Sequence, residues 1–181
     1  MKSLRILLLL VLTVVLFACK DDKKEQTPEV ITVETTPKES NYESAKGDAE
    51  FNDEKLAAVY NAYIEVKTAL VNTNGEAAAN AASNLMTAFA NIGVEENVLA
   101  AAQLINDTDD TEAQRKAFVT VTEGVEGLLE DALAAGTIYK QFCPMAFNNT
   151  GAYWLSNTKD IMNPYFGDKM LKCGRVASEI K

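Results

Sequence analysis

The stretch NDEKLAAVYNAYIEVKTALV, residues 52–71, decides the fold class of this chain. Its large apolar residues recur at three- and four-residue steps, which is the spacing of one face of an α-helix. Either Asn52 or Asp53 can cap the first turn. The stretch therefore predicts an amphipathic helix that buries Leu56, Val59, Tyr60, Tyr63, Val66 and Leu70.

Three later stretches repeat this helical pattern and are separated by short turns. The last of them starts at Thr111, which forms a capping-box pattern with Gln114. Helices with short connections pack as antiparallel neighbours. Residues 51–134 are therefore predicted to form an antiparallel bundle of about four helices, the later three lying in EAAANAASNLMTAFANI (76–92), EENVLAAAQLIND (95–107) and the segment 111–129.

Two glycines interrupt the fourth predicted helix. Gly124 and Gly127 weaken helical propensity, and the β-branched run FVTVT before them does the same. The glycines are consistent with a hinge, with close packing against a neighbouring helix, or with a tolerated defect in the helix.

The pattern changes after about residue 134. The stretches TIYKQFCP, AYWLS and MLKCGRVASEI are β-prone, and turn residues such as NNTG lie between them. We expect residues 135–181 to form a small cap of loops and short strands that packs on the bundle within one domain. The predicted fold class is therefore mainly α.

The N-terminus has the pattern of a secretory signal. A positively charged start precedes the apolar run Ile6–Phe17, which is shorter than the roughly 20 residues of a membrane-spanning helix. The run ends in LFAC, which resembles the lipobox of bacterial lipoproteins. That resemblance implies a signal peptide over residues 1–18 and lipidation of Cys19; an ordinary secretory peptide with an unmodified Cys19 is the alternative.

Residues 19–50 are predicted to form a disordered tether after the lipidated cysteine. They are charged, rich in Thr, Ser and Glu, and poor in large apolar side chains. The expected location is the cell envelope, as an outer-membrane lipoprotein that faces the periplasm or the cell surface.

The charge of the chain excludes one class of partner. The net charge is −9, and loss of Lys2 and Arg5 with the signal peptide would make it −11. A chain this acidic is repelled by phosphates, so no nucleic-acid binding is expected.

The absence of histidine from the 181 residues limits the chemistry further. It excludes a Ser-His-Asp triad, a Cys-His pair and a histidine zinc site. Acidic pairs such as Asp109–Asp110 are more typical of helix caps and solvated faces. The sequence therefore predicts that the protein is not an enzyme.

Sulfur and aromatic side chains are concentrated between residues 139 and 173. This segment holds half of the aromatic residues together with Cys143, Met145, Met162, Met170 and Cys173. Thiolate and thioether groups are soft ligands that favour Cu(I) over hard cations. Cys143 and Met145 point the same way in an extended segment, and Met170 and Cys173 share one face of a helical turn. Together the two pairs would make a four-sulfur site for Cu(I) or Ag(I).

A second interpretation of the same residues needs no metal. Methionine and aromatic side chains commonly fill cores, and two cysteines of an exported protein commonly form a disulfide. A Cys143–Cys173 bridge would stabilise the fold by roughly 3–4 kcal/mol on the loop-entropy model. Both interpretations predict that Cys143 and Cys173 are neighbours.

Four short motifs in this segment resemble the signature of a family of unknown function in Bacteroidetes-type bacteria. They are CPMA (143–146), WLS (154–156), NPYFG (163–167) and ML.CG (170–174). That family occurs as small lipoproteins and as an extension on periplasmic adaptor subunits of Cus-type heavy-metal efflux pumps. The resemblance implies that the protein functions in association with heavy-metal efflux components.

The resemblance and the soft ligands together lead to a hypothesis for the site. It is a Cu(I)- or Ag(I)-binding site with Cys143, Met145, Met170 and Cys173 as ligands and Met162 as a secondary candidate. Trp154, Tyr165 and Phe166 would shield it. The alternative is a structural or protein-interaction module of the cell envelope with a Cys143–Cys173 disulfide.

Overall fold

The computed structural model describes residues 42–181. The predicted signal peptide, Cys19 and most of the predicted tether lie outside these residues and stay predictions. No helix between residues 42 and 181 has the length and apolar character needed to cross a membrane.

Four long helices dominate the described part of the chain, and the mainly-α class is confirmed. The first begins after Asp53, whose carboxylate accepts a hydrogen bond from the Lys55 backbone N–H at 2.8 Å. The helices are α1 (Glu54–Val71), α2 (Gly75–Ala90), α3 (Glu96–Asn106) and α4 (Thr111–Leu128).

The helices pack in chain order, and α1 also contacts α4. Alanines at positions 78, 82 and 102 are completely buried, which lets the helices approach closely. Burial of each large apolar side chain contributes about 1.5–3 kcal/mol. The largest fully buried members of this core are Tyr63, Leu70, Leu85, Phe89, Ile105, Phe118 and Leu129. The antiparallel order of the helices stays a prediction.

The predicted capping box at the start of α4 is wrong. Asp110 is the N-cap, and its carboxylate accepts from the Glu112 N–H at 2.9 Å. Gln114 is buried, and its side-chain amide donates hydrogen bonds to backbone carbonyl groups instead of capping the start of the helix. Its Nε2 donates to the backbone oxygens of Gly75, Ile105 and Thr108.

One of the two glycines of α4 lies at a close helix contact. A Cβ added at Gly124 would lie 2.4 Å from Val98 Cγ2 of α3, whereas a Cβ at Gly127 would meet nothing within 4 Å. The structure therefore supports close packing at Gly124, and α4 continues through both glycines without a break.

The cap contains a three-stranded antiparallel sheet with β3 in its centre. A two-stranded ribbon, β1 with β2, connects the start of the domain to the end of the helical region. The strands are β1 (Glu50–Phe51), β2 (Leu133–Ala135), β3 (Ile138–Cys143), β4 (Ala152–Ser156) and β5 (Arg175–Ile180), with a helical turn at Ala146–Asn149 and a 3₁₀ turn at Gly167–Lys169.

The folded part begins earlier than residue 51. The Tyr42 backbone exchanges two hydrogen bonds with the Asn72 side chain, at 3.0 and 2.9 Å. Further along, Asn157 Nδ2 donates to the Ala45 carbonyl at 2.9 Å. Contacts between polar groups leave no apolar periodicity in the sequence. For this reason residues 42–50 were predicted to belong to the tether.

Two buried polar side chains connect the cap to the helices. Tyr63 Oη of α1 accepts from the Leu155 N–H of β4 at 2.9 Å. Arg115 of α4 donates to the Pro164 carbonyl at 2.8 Å and to the Leu70 carbonyl at 3.1 Å. Because unpaired buried carbonyls and guanidinium groups are costly, these contacts determine where the cap lies.

Candidate soft-metal site

The two cysteines of the cap lie next to each other. Cys143 Sγ and Cys173 Sγ are 3.2 Å apart, and both are free thiols. The residues are 30 positions apart in the sequence, so the fold of the cap brings them together.

Cys143 is positioned by the sheet. It is the last residue of β3, lies opposite Ala152 of β4, and has no solvent exposure. Alternate residues of a strand point to opposite faces, and Gln141 is buried on the same face as Cys143. The thiol therefore points into the interior of the cap.

Cys173 is positioned by a turn and by one side chain. Its N–H donates to the Met170 carbonyl at 3.0 Å, which closes a turn before β5. Its own carbonyl accepts from Asn163 Nδ2 at 2.7 Å. Cys173 is half-buried, so its side of the pair is the one that contacts solvent.

The contact between the thiols affects their chemistry. The hydrogen bond with Cys143, followed by burial, holds the pKa of Cys173 above its ordinary value. Cys173 is therefore protonated at neutral pH, and a metal ion that binds it must displace a proton. A protonated thiol is also a poor nucleophile.

The cationic side chains that lie near the cysteines in the sequence are engaged with other groups. Lys140 pairs with Glu126 at 2.6 Å, Arg175 lies 5.5 Å from the Phe142 ring centroid, and Lys172 donates to the thioether sulfur of Met162 at 3.5 Å. These contacts give each cation a partner other than a thiolate.

The three methionines of the cap are exposed or half-buried. Met145 follows Cys143 by two residues and is 46% exposed. Met170 is half-buried and belongs to the turn that ends at Cys173. Met162 is half-buried. Each cysteine therefore has one methionine close to it along the chain.

The chain between Met145 and β4 has an unusual conformation. Phe147, Asn148 and Asn149 have φ values of 50°, 57° and 68°, in the left-handed region. Asparagine tolerates this region, but a residue such as phenylalanine pays about 1–2 kcal/mol there. The Phe147 ring packs edge-on against Tyr165 at 5.4 Å, which helps to offset this cost. The sequence predicted a turn at NNTG but not that Phe147 is part of it.

The three aromatic residues that were expected to shield the site differ in burial. Trp154 and Tyr165 are buried, with ring centroids 6.1 Å apart, and Phe166 is half-buried. A Cβ added at Gly174 would lie 2.7 Å from Trp154 Cη2, so the indole packs on the backbone beside Cys173. Burial, and next the nearby Tyr63 hydroxyl, raise the pKa of Tyr165 well above its ordinary value.

Sulfur is the donor type that this part of the cap offers. Between residues 42 and 181, no three His, Cys, Asp or Glu side chains come together in a group suited to a metal ion. The donor set of two thiols, each with a methionine close to it in the sequence, fits a soft monovalent ion better than a hard cation.

Sequence reasoning missed Asn163, which is buried and contacts the Cys173 backbone. Its position in NPYFG was visible, but its partner lies ten residues further along the chain and only the fold identifies it.

Comparison with known proteins adds one finding. A family model described as a protein of unknown function (DUF3347) matches residues 59–135, and over this part the chain is similar to that family. The matched residues begin within α1, extend through β2 and end before the cysteine pair. No curated protein and no solved structure matches the chain.

Proposed function

We propose that this protein is an exported lipoprotein that binds Cu(I) or Ag(I) through its cap and supports heavy-metal efflux. In this proposal Cys143 and Cys173 are the primary ligands, and Met145 and Met170 contribute thioethers. The observation that carries the proposal is the 3.2 Å separation of two free thiols in a protein without histidine.

The chemistry of the pair suits a soft monovalent ion. Both thiols would lose their protons on binding, and thiolates favour Cu(I) and Ag(I). The fully buried Cys143 would form the inner side of the site, and the half-buried Cys173 the side that faces solvent. The exposed Met145 would take the ion up from solvent or from a partner.

The proposal assigns a role to each part of the chain. The lipid on Cys19 would anchor the protein in the outer membrane, and the following tether would hold the folded domain away from it. The four helices would form an antiparallel bundle that carries the cap. The protein would store or transfer metal for efflux components, without catalysis and without binding nucleic acid.

A second candidate function rests on the same distance. Exchange with an external disulfide, which would be reduced to two thiols, would convert the pair into a Cys143–Cys173 disulfide. The protein would then be a structural or interaction module of the cell envelope. The complete burial of Cys143 favours this candidate, because structural cysteines are commonly buried.

Titration of the full-length protein with Cu(I) against a chromophoric chelator, without oxygen, tests the proposal. The reduced protein should remove Cu(I) from the chelator, and the oxidised protein should not. Cys143→Ser and Cys173→Ser should each weaken the competition strongly, and Met145→Leu should weaken it to a smaller extent. Met86→Leu on α2 is the matched control and should leave the titration unchanged.

An absence of competition by both the reduced and the oxidised protein would refute metal binding. If the purified protein also contained a stable Cys143–Cys173 bond that resists mild reduction, the structural module would be the better account.

A further inference from the structure

The position of Cys173 depends on a segment without regular secondary structure. Cys143 lies in a strand, whereas Cys173 lies between the 3₁₀ turn Gly167–Lys169 and β5. A contact that determines the position of the Cys173 backbone therefore determines the separation of the two sulfurs.

Asn163 makes that contact, and both the nitrogen and the oxygen of its side-chain amide form hydrogen bonds. Its Nδ2 donates to the Cys173 carbonyl at 2.7 Å. Its Oδ1 accepts from the N–H groups of Tyr165 and Phe166, at 2.8 and 3.3 Å. Asn163 is completely buried, so solvent cannot replace these partners.

The Asn163 backbone closes the same loop. Its N–H donates to the Leu171 carbonyl at 2.9 Å, and its carbonyl accepts from the Gly167 N–H at 3.0 Å. All five hydrogen bonds remain within residues 163–173. The amide is required because the site needs a donor and an acceptor on one short side chain, which neither aspartate nor leucine provides at neutral pH.

We infer that Asn163 is the positioning residue of the thiol pair: it holds Cys173 within reach of Cys143, and without it the two sulfurs separate. The inference deepens the proposed function, on which its relevance to metal binding rests. It concerns the pair itself, so it can also be tested without a metal.

The metal-free test is the equilibrium of the pair with glutathione at neutral pH. Two protein thiols are oxidised to one disulfide, and one glutathione disulfide is reduced to two glutathione molecules that take up the two protons. Asn163→Asp keeps the acceptor but places a carboxylate oxygen opposite the Cys173 carbonyl. The disulfide form must keep this repulsion, whereas the reduced form relaxes by moving Cys173 away.

We expect the equilibrium constant for disulfide formation to fall by about tenfold in Asn163→Asp. This corresponds to a rise of about 30 mV in the reduction potential of the pair. The experiment uses the full chain with Cys19→Ser, so that only the two cap cysteines are titrated.

Asn157→Asp is the matched control. Asn157 also donates from Nδ2 to a backbone carbonyl, that of Ala45, at 2.9 Å. This bond connects the cap to residues 42–51 and does not involve either cysteine. The control should change the glutathione equilibrium by less than about twofold.

An equal change in the two variants, or no change in Asn163→Asp, would overturn the inference. Circular dichroism on the reduced samples verifies that each variant is folded. If Asn163→Asp does not fold, Asn163→Ser replaces it, because a serine is too short to reach the Cys173 carbonyl. The same fall in the equilibrium constant for disulfide formation is then expected, and an unchanged constant counts against the inference.

A parallel Cu(I) titration separates this inference from the proposed function. If the parent chain binds no Cu(I) but Asn163→Asp still weakens disulfide formation, the proposed function fails and the positioning role stands. If the parent binds Cu(I) and Asn163→Asp alters neither equilibrium, the positioning role fails alone.

Discussion

Lys67 lies in α1 with its side chain completely buried. Its ammonium group donates to the Tyr42 hydroxyl at 3.0 Å and lies 5.0 Å from the centroid of that ring. Within residues 42–181, Lys67 has no ion pair with a carboxylate. Burial lowers the pKa of Lys67 from 10.5 to about 8. We predict that Lys67→Met stabilises the protein at neutral pH.

The magnitude follows from the two pKa values. The difference of 10.5 − 8 corresponds to about 3 kcal/mol of unfavourable free energy for holding the charged form in the folded state. Loss of the hydrogen bond to Tyr42 removes about 1 kcal/mol of this gain. We therefore expect Lys67→Met to raise the free energy of unfolding by about 2 kcal/mol at pH 7.

The sign of the pH dependence follows from the lowered pKa. Below pH 8 both the folded and the unfolded chain hold the proton, so the full cost of burying the charge is present. Between pH 8 and 10.5 only the unfolded chain holds it, so the stability contribution of Lys67 rises with pH. The advantage of Lys67→Met should therefore shrink between pH 7 and pH 10.

Urea unfolding followed by circular dichroism between pH 7 and pH 10 measures this effect. The matched control is Lys55→Met, because Lys55 is an exposed lysine of the same helix. The control should change stability by less than about 0.5 kcal/mol at every pH. A loss of stability in Lys67→Met at pH 7, or a difference from the parent that does not depend on pH, would refute the reasoning.

Three other predictions concern helix packing, the junction with the cap, and proton release. Gly124→Ala should lower the free energy of unfolding by about 1–3 kcal/mol, because its Cβ would lie 2.4 Å from a valine side chain. Gly127→Ala, in open space, should raise it by about 0.5–1 kcal/mol. Urea unfolding measures both effects, and equal effects would contradict the packing argument. Arg115→Met should lower the free energy of unfolding by about 3–5 kcal/mol in the same assay, because it leaves buried carbonyls unpaired. Lys116→Met, at an exposed position, should leave it nearly unchanged. A nearly unchanged stability of Arg115→Met would contradict the account of the junction. The apparent affinity for Cu(I) should rise between pH 6 and pH 8, because binding displaces the proton from Cys173, whose pKa is raised; an affinity that is constant over this range would contradict thiol ligation.

The helices were predictable because their signals are local. The apolar spacing in residues 52–71 and the cap at Asp53 are contained within α1 itself. The strands of the cap were also recognisable as short β-prone stretches between turns. What the sequence did not predict is how these elements are joined.

The contacts that join the elements are made by polar side chains whose partners are distant in the sequence. Tyr63 was predicted as an ordinary core residue, yet its hydroxyl accepts a hydrogen bond from Leu155, 92 positions away. Lys67 lies in the buried face of α1, where periodicity alone does not predict a lysine. Such contacts leave no periodic signal, because each is a single pairing made after the helices have packed.

The candidate site was predictable in composition but not in construction. The concentration of sulfur predicted that Cys143 and Cys173 would meet, and their thiols lie 3.2 Å apart. The role of Asn163 and the left-handed turn after Met145 follow from backbone geometry that the sequence does not encode in any simple pattern. Participation of the methionines and of a metal stays a prediction.

X-ray absorption spectroscopy at the copper edge, on full-length reduced protein loaded with one equivalent of Cu(I), tests the central claim most directly. The account predicts a first coordination shell made only of sulfur, which loses one sulfur atom in Cys173→Ser. A shell dominated by nitrogen or oxygen, or a spectrum that does not change in Cys173→Ser, would contradict it.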